Sequence, residues 1–395
     1  MSINIPEGSE ALFTEHFGAG GDIRHFFSPG RVNIIGEHLD YNGGFVFPAA
    51  LSLGIHALVR FNDGCMVTMR SAGFPGEHGV DIRGDIASDA AKSWWNYPAG
   101  VIKYLRDSGT EIHGADILFA GTLPEGAGLS SSAAIEVLTA VVMTRGSMTS
   151  DDDRIRIALL CRDVENGFIG VQCGIMDQFA VAMGLKDHAL LLKSDTLSYE
   201  RVPFNLGNHR LVIMNTNKTR KLSDSKYNER RAECERALGE IRLKRSIEHL
   251  AEATTEEAES LTDAVIRKRA RHVVTENLRV LASVDLLRKG DIASFGALLT
   301  GSHRSLRDDY EVTGFELDSL WEASLLAPGC AGARMTGAGF GGCAIAIVKN
   351  ENIDAFTASV GESYKKATGL SADFYETEIV DGASEITGRE NRHEI

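Results

Sequence analysis

A chain of 395 residues is longer than one hydrophobic core usually supports and comfortable for two. Its 43% apolar and 24% charged content is that of an ordinary globular protein and argues against extended disorder. With 41 basic against 55 acidic residues the net charge is −14, which disfavours a nucleic-acid binder, because phosphate backbones require a basic surface. A single nucleotide, held by local amides and a metal, is compatible with that charge.

The first residues, 1–17, lack a basic run followed by an apolar one, so no signal peptide is expected. Strand-like runs separated by glycine turns follow at 44–50, 55–60, 65–70 and 116–119, the second alternating with roughly period two. Residues 130–144 read as a helix, with Ser130 at its start and Ala133, Ala134, Val137, Leu138 and Val141 at helical spacing. Its apolar part contains Glu136 and is too short to cross a bilayer, so no membrane association is expected. A helix over 154–167 and short strands at 189–193 and 211–215 come next. A long charged helical region then spans 223–253, where Cys234, Ala237, Leu238 and Ile241 share one face and the charges form a solvated back.

A helix pair is expected over 261–287, followed by strand 343–348, helix 352–368 and a last strand at 373–379. Strands and helices intermix without a strict βαβ repeat, which predicts an α+β class. Pro203, Asn205, Gly207 and Asn208 cluster between apolar runs and predict two domains, 1–205 and 206–395, with a cleft between them. The six cysteines form no C-x-x-C pair and are expected to be reduced thiols of a cytosolic protein.

Four segments carry chemistry. In Pro124–Ala134, glycines at 126 and 128 let the backbone approach a ligand, and Ser130, Ser131 and Ser132 open a helix whose first amides suit phosphate. A plain Gly/Ser turn that caps the helix is the ordinary alternative, and no G-x-x-x-x-G-K-[ST] loop exists in the chain. Gly337–Gly342 formally matches G-x-G-x-x-G, but a dinucleotide fingerprint opens a helix, whereas Cys343–Val348 reads as a buried strand. It is therefore expected to be a turn near bound phosphate or closing the site.

Ser28–Gly44 packs Arg31, Glu37, His38, Asp40 and Asn42 among apolar residues and glycines. Carboxylates, an imidazole and an amide at such turns suit a polyhydroxylated ligand, since each sugar hydroxyl donates to a carboxylate and accepts from an N–H. A metal is the rival there, although adjacent turn positions are poor ligand spacing. In Glu165–Gln178, Asp177 follows Gly174 within an apolar stretch where an uncompensated carboxylate is costly. Capping a helix over 178–183 is its alternative role. Glu165 is either a salt-bridge residue or a Mg²⁺ ligand.

Together these segments resemble the GHMP small-molecule kinases and, within them, the galactokinase family. Arg31–Gly44 is similar to that family's signature, Pro124–Ala134 to its phosphate loop and Met335–Gly342 to its third motif. Residues 94–102, Gly174–Gln178, the stretch Ser225 to Tyr227 and Asp381–Ala383 are similar as well, while Leu39 stands where the family commonly carries Thr. The resemblance implies a two-domain α+β fold, its first unit like the second domain of ribosomal protein S5 and its second ferredoxin-like, with the active site in the cleft. It implies ATP-dependent phosphorylation of the anomeric hydroxyl of galactose, the first committed step of galactose use.

By position, it implies that Glu37, His38, Asp40, Gly174, Asp177 and Tyr227 hold the sugar. Gly126, Ala127, Gly128, Leu129, Ser130, Ser131 and Ser132 would cradle ATP, with Trp94 and Tyr97 at the adenine. Ser132 and Glu165 would hold Mg²⁺, and Asp177 with Arg31 would be catalytic. Its partners would be a small sugar and ATP, in a cytoplasmic monomer or weak oligomer. Related kinases of N-acetylgalactosamine, arabinose or galacturonate share this chemistry. A sensor that binds sugar and ATP without turnover, or a nicotinamide oxidoreductase resting on Gly337–Gly342, are readings from other classes.

Overall fold

A computed structural model describes residues 3–91, 93–124, 126–147, 149–218 and 223–386, without the side chains of 223–225. Three sheets organise the chain. A six-stranded sheet has the order Ser384–Glu385, Arg24–Asn33, Pro48–Phe61, Ala115–Gly121, Met66–Ser71, Glu77–Asp81. All of its pairings are antiparallel except that between Met66–Ser71 and Ala115–Gly121. A three-stranded sheet joins Phe45–Val46, His188–Lys193 and Ser198–Pro203.

The third sheet is antiparallel, in the order Cys330–Met335, Cys343–Lys349, His209–Asn215, Asp373–Glu376. Counted along the chain these are its second, third, first and fourth strands, with helices in the first and last connections. That is the ferredoxin-like arrangement expected from the sequence. The strand Cys343–Lys349 is buried at every position but its last, because sheet neighbours and helices cover it on both sides. Its uninterrupted apolar run is the reason it was legible, and Gly337–Gly342 enters it as a turn rather than opening a helix.

Several boundaries differ from the sequence reading. The runs at 44–50 and 55–60 belong largely to one 14-residue strand, Pro48–Phe61, preceded by the two-residue strand Phe45–Val46. Gly54 reads as a break, yet it stays in the ladder opposite Pro29, where a Cβ would overlap Ser28 O and the Phe27 ring. Glycine here permits close backbone approach, not a turn. The region 261–287 is one helix, Ala264–Lys289, capped by the Asp263 carboxylate at its start and ended by Gly290 at φ 69°. No Gly or Pro interrupts it, so nothing divides it into a pair.

The charged helix ends at Arg242, well short of 253, and short helical turns follow. The helix Asp151–Val164 begins three residues earlier than expected, because Ser150 and Asp153 form a reciprocal capping box. The sequence reading left out the strand Arg24–Asn33 and the helices Asn96–Asp107, Ile292–Ser305 and Phe315–Leu326. None of the six cysteines is in a disulfide. No helix among the described residues is long and apolar enough to cross a membrane.

Candidate active site

The strand Arg24–Asn33 carries its last residues to the edge of the ferredoxin-like unit, where Asn33 N–H donates to Thr336 Oγ1 at 3.1 Å. Two residues earlier, Arg31 is 4% exposed and organises the centre of the site. Its backbone N–H donates to Leu129 O (3.1 Å) and its Nη1 to Gly128 O (2.8 Å), so the glycine-serine loop is docked onto this strand. Its Nε and Nη2 donate to Asp177 Oδ1 and Oδ2, each at 2.9 Å. A two-pronged guanidinium–carboxylate pair of this kind fixes orientation as well as charge.

Asp177 is the second residue of the helix Met176–Met183, whose N-cap position belongs to Ile175. The carboxylate therefore does not cap the helix; it sits in the first turn, where the helix dipole favours an anion. Ser130 Oγ donates to its Oδ2 at 2.5 Å. Beside it, Asp40 begins the short turn Asp40–Asn42, and its carboxyl is pushed up to about 7, by burial first and the Asp177 charge second.

Glu37, 1% exposed, accepts from Gly337 N–H at 2.6 Å, from Asn33 Nδ2, and from Arg334 Nη1 at 3.4 Å. Burial raises its pKa, and the charges of Arg334 and then Arg31 pull it back. His38 is buried and its Nδ1 lies 2.9 Å from Tyr41 Oη. Burial, then the neighbouring His272, lowers His38 to about 3, so its ring is neutral near pH 7. The half-buried Tyr227 packs on Tyr41 and His38 with ring centroids 5.3 and 5.7 Å away.

At the other end, Glu165 opens a π turn, Glu165–Ile169, directly after Asp151–Val164. It accepts from Gln178 Nε2 at 3.0 Å. Burial raises its pKa, opposed by hydrogen bonds from Cys173 and Ser132. A carboxylate and a hydroxyl so placed are hard oxygen donors that fit Mg²⁺, which takes few protein ligands and completes its shell with water and phosphate. Among the described residues no three His, Cys, Asp or Glu side chains group as metal ligands. One cleft of about 480 Å³ is shared by Arg31, Glu37, His38, Asp40, Tyr97, Ser132, Glu165, Gly174, Asp177 and Tyr227.

Comparison with known proteins bears on this geometry. Residues 11–61 match the galactokinase galactose-binding signature, 96–185 the GHMP kinase N-terminal domain and 283–366 the GHMP kinase C-terminal domain. The galactokinase of Halalkalibacterium halodurans is 50% identical over 396 residues, covering 98% of this chain and 100% of that one. The galactokinase of Fusobacterium nucleatum is 51% identical, covering 95% of this chain and 98% of that one. The chain belongs to the galactokinase family.

Among solved structures, Lactococcus lactis galactokinase complexed with galactose is 42% identical, with TM-score 0.90 over 95% of this chain and 98% of that one. Methanococcus jannaschii mevalonate kinase, at 19% identity and TM-score 0.65, shares the fold. Against this family background, Leu39 departs from the common Thr without reaching the cleft: its side chain is 0% exposed and belongs to the main apolar core. Trp94 is not among the residues lining the cleft either. Its ring packs edge-on against Trp95 and Phe119, whereas Tyr97, from the first turn of Asn96–Asp107, does line it.

In the phosphate loop, Gly126 and Ser131 are exposed, Gly128 and Ser132 half-buried, and Ala127, Leu129 and Ser130 buried. Tyr41, His272, Tyr310 and Arg334 were not singled out by sequence. Tyr41 Oη and Tyr310 Oη are 2.8 Å apart, and His272 Nε2 lies 3.2 Å from Glu37 O. Tyr41 sits inside the signature segment, but the other three lie more than 200 residues from it and carry no local signal.

Proposed function

We propose that the chain transfers the γ-phosphoryl group of ATP to the anomeric hydroxyl of D-galactose, giving galactose 1-phosphate and ADP. One observation carries this reading: Arg31 holds Asp177 with two hydrogen bonds and the Gly128 carbonyl with a third, joining the acidic end of the cleft to the phosphate loop. Asp177, Asp40, Glu37, His38, Gly174 and Tyr227 hold the sugar, with Asp177 beside the anomeric hydroxyl. The stretch Gly126 to Ser132 cradles the triphosphate, with Tyr97 on the nucleotide side and Trp94 packed behind it rather than in the cleft.

Phosphoryl transfer passes through a loose transition state, in which catalysis is mainly positioning and charge stabilisation. Asp177, held by Arg31, orients the attacking hydroxyl and accepts its proton late, as the new O–P bond forms and the bond to ADP breaks. Arg31 offsets charge on the transferring group. Ser132 and Glu165 would hold Mg²⁺, which would neutralise phosphate charge when bound.

The chain divides for this purpose into residues 1–205 and 206–395. Supporting that division, the six- and three-stranded sheets draw on strands up to Pro203, and the ferredoxin-like sheet on strands from His209 onward. The last segment crosses back: Ser384–Glu385 pairs with Arg24–Asn33, and Ile379 bridges to Leu51. Six cysteines outside any disulfide support a reducing, cytosolic setting, and we take the protein as a monomer or weak oligomer.

The test is ADP release with D-galactose, N-acetylgalactosamine, arabinose and galacturonate, followed by locating the phosphate on the product. Preferred turnover of galactose with phosphate on C1 is expected. Preference for another sugar, or phosphate on another hydroxyl, would overturn the reading.

A further inference from the structure

Ser130 sits at φ 62° and ψ 47°, the left-handed region that L-residues other than glycine rarely occupy. It immediately precedes the 13-residue helix Ser131–Met143, where a serine would ordinarily take an extended backbone and cap the first amides with its hydroxyl. Ser130 does neither: no side-chain cap bond exists at this helix start. Its hydroxyl points away from the helix and donates to Asp177 Oδ2 at 2.5 Å. Ser130 is 7% exposed, while the Asp177 side chain is 32% exposed, so the donor is buried and the acceptor opens onto the cleft.

Two consequences follow from one backbone twist. The Ser130 hydroxyl leaves the first-turn amides of the helix uncapped, where phosphate oxygens can meet them. Asp177 gains a third donor beside the two of Arg31. An ionised carboxylate has about four acceptor sites, so three donors leave roughly one for a sugar hydroxyl. Strained backbone of this kind persists where the surroundings enforce it, and it concentrates at functional sites.

We propose that Ser130 is a positioning residue for phosphoryl transfer: it spends backbone strain to turn Asp177 toward the attacking hydroxyl while leaving the helix start open to ATP. This rests on the galactose kinase reading above. Ser130 touches the carboxylate rather than the reacting atoms, so its effect reaches the chemistry through Asp177.

The experiment compares wild type, Ser130→Gly and Ser130→Ala by kcat, KM for galactose, KM for ATP and thermal midpoint. Glycine relaxes the left-handed backbone and removes the hydroxyl; alanine removes the hydroxyl and keeps the strain. Both variants are expected to lose about 10- to 100-fold in kcat with both KM values within about threefold, the scale of losing one orienting hydrogen bond. Ser130→Gly is expected to melt at or above the wild-type temperature, a combination that a merely structural serine would not give. A Ser130→Gly enzyme with kcat within threefold of wild type overturns the proposal. So does a loss confined to KM for ATP, which would assign the hydroxyl to the nucleotide. Wild type that does not phosphorylate galactose overturns the underlying reading, and this proposal with it.

Discussion

Gly174 and Asp40 stand so close that a Cβ on Gly174 would overlap the Asp40 carboxyl. Each fixes the other: the glycine backbone lets Asp40 lie against it, and Asp40 closes one wall of the cleft. Gly174→Ala must therefore displace a sugar-side carboxylate while leaving the phosphate loop alone. The expected result is a KM for galactose raised at least about tenfold, with KM for ATP changed by less than about threefold, since small misplacements near reacting groups cost up to about 10²-fold. Steady-state kinetics with each substrate varied in turn checks it.

Asp40 also gives the site a pH dependence. Its carboxyl is raised to about 7 by burial and by Asp177. A sugar hydroxyl donating to it favours the ionised form, so binding sugar expels a proton below that value. Affinity should therefore rise with pH, the apparent Kd for galactose falling about tenfold from pH 6 to pH 8. In Asp40→Asn the same titration should be flat, although weaker throughout. Calorimetric titration in two buffers of different ionisation enthalpy would also register the released proton.

Arg334 should be a large stabiliser. It is 0% exposed and its Nη1 donates to Asn33 O (3.0 Å) and Ile34 O (3.1 Å), while Nε donates to Ser302 Oγ at 3.1 Å. Its charge is also the largest influence holding down the pKa of Glu37 against burial. Arg334→Met removes the largest charge that offsets the buried Glu37, leaving Arg31, Asn33 and the Gly337 amide, and a loss of about 3 kcal/mol is expected in urea unfolding at pH 7. Without Arg334 the folded-state pKa of Glu37 climbs further above its unfolded value. The deficit should therefore shrink as pH falls and Glu37 takes up a proton in the folded state.

How far the sequence predicts this molecule can be judged residue by residue. The helix after the phosphate loop and the strand Cys343–Lys349 were legible because their apolar pattern is local and uninterrupted. The edge strand Asp373–Glu376 was placed with its boundary three residues long. Gly54 misled because a glycine inside a strand and a glycine at a turn look alike without the partner strand. In the site, Arg31 and Asp177 could be paired from the family resemblance, but the Ser130 hydroxyl was assigned to the nucleotide side. Its turn toward Asp177 depends on a backbone angle that composition does not encode. Arg334 and Tyr310 reach Glu37 and Tyr41 through sheet and helix packing from the far end of the chain, which no short-range pattern records.

A second titration lies away from the cleft. His56 is 1% exposed, its Nδ1 is 3.0 Å from His25 Nε2, and burial lowers it to about 3, with His25 a smaller cause. Below the ordinary histidine value of 6.5 the unfolded chain gains a proton here that the folded protein refuses until near pH 3. Stability conferred by the neutral ring is thus complete above 6.5 and is lost as pH falls toward 3. Relative to His56→Gln, wild type should lose about 1.4 kcal/mol per pH unit below 6.5, or about 2 kcal/mol at pH 5. Urea unfolding of both proteins at pH 7, 6 and 5 measures the difference.

The central claim is that the Asp177 carboxylate, held by Arg31, orients the sugar hydroxyl and takes its proton during phosphoryl transfer. Turnover of Asp177→Asn with saturating galactose and Mg·ATP tests it most directly, because asparagine preserves the size while removing the charge and the proton acceptor. A fall in kcat of about 10²–10⁴-fold is expected, the usual contribution of such a group. Retention of more than about a tenth of wild-type kcat would contradict it.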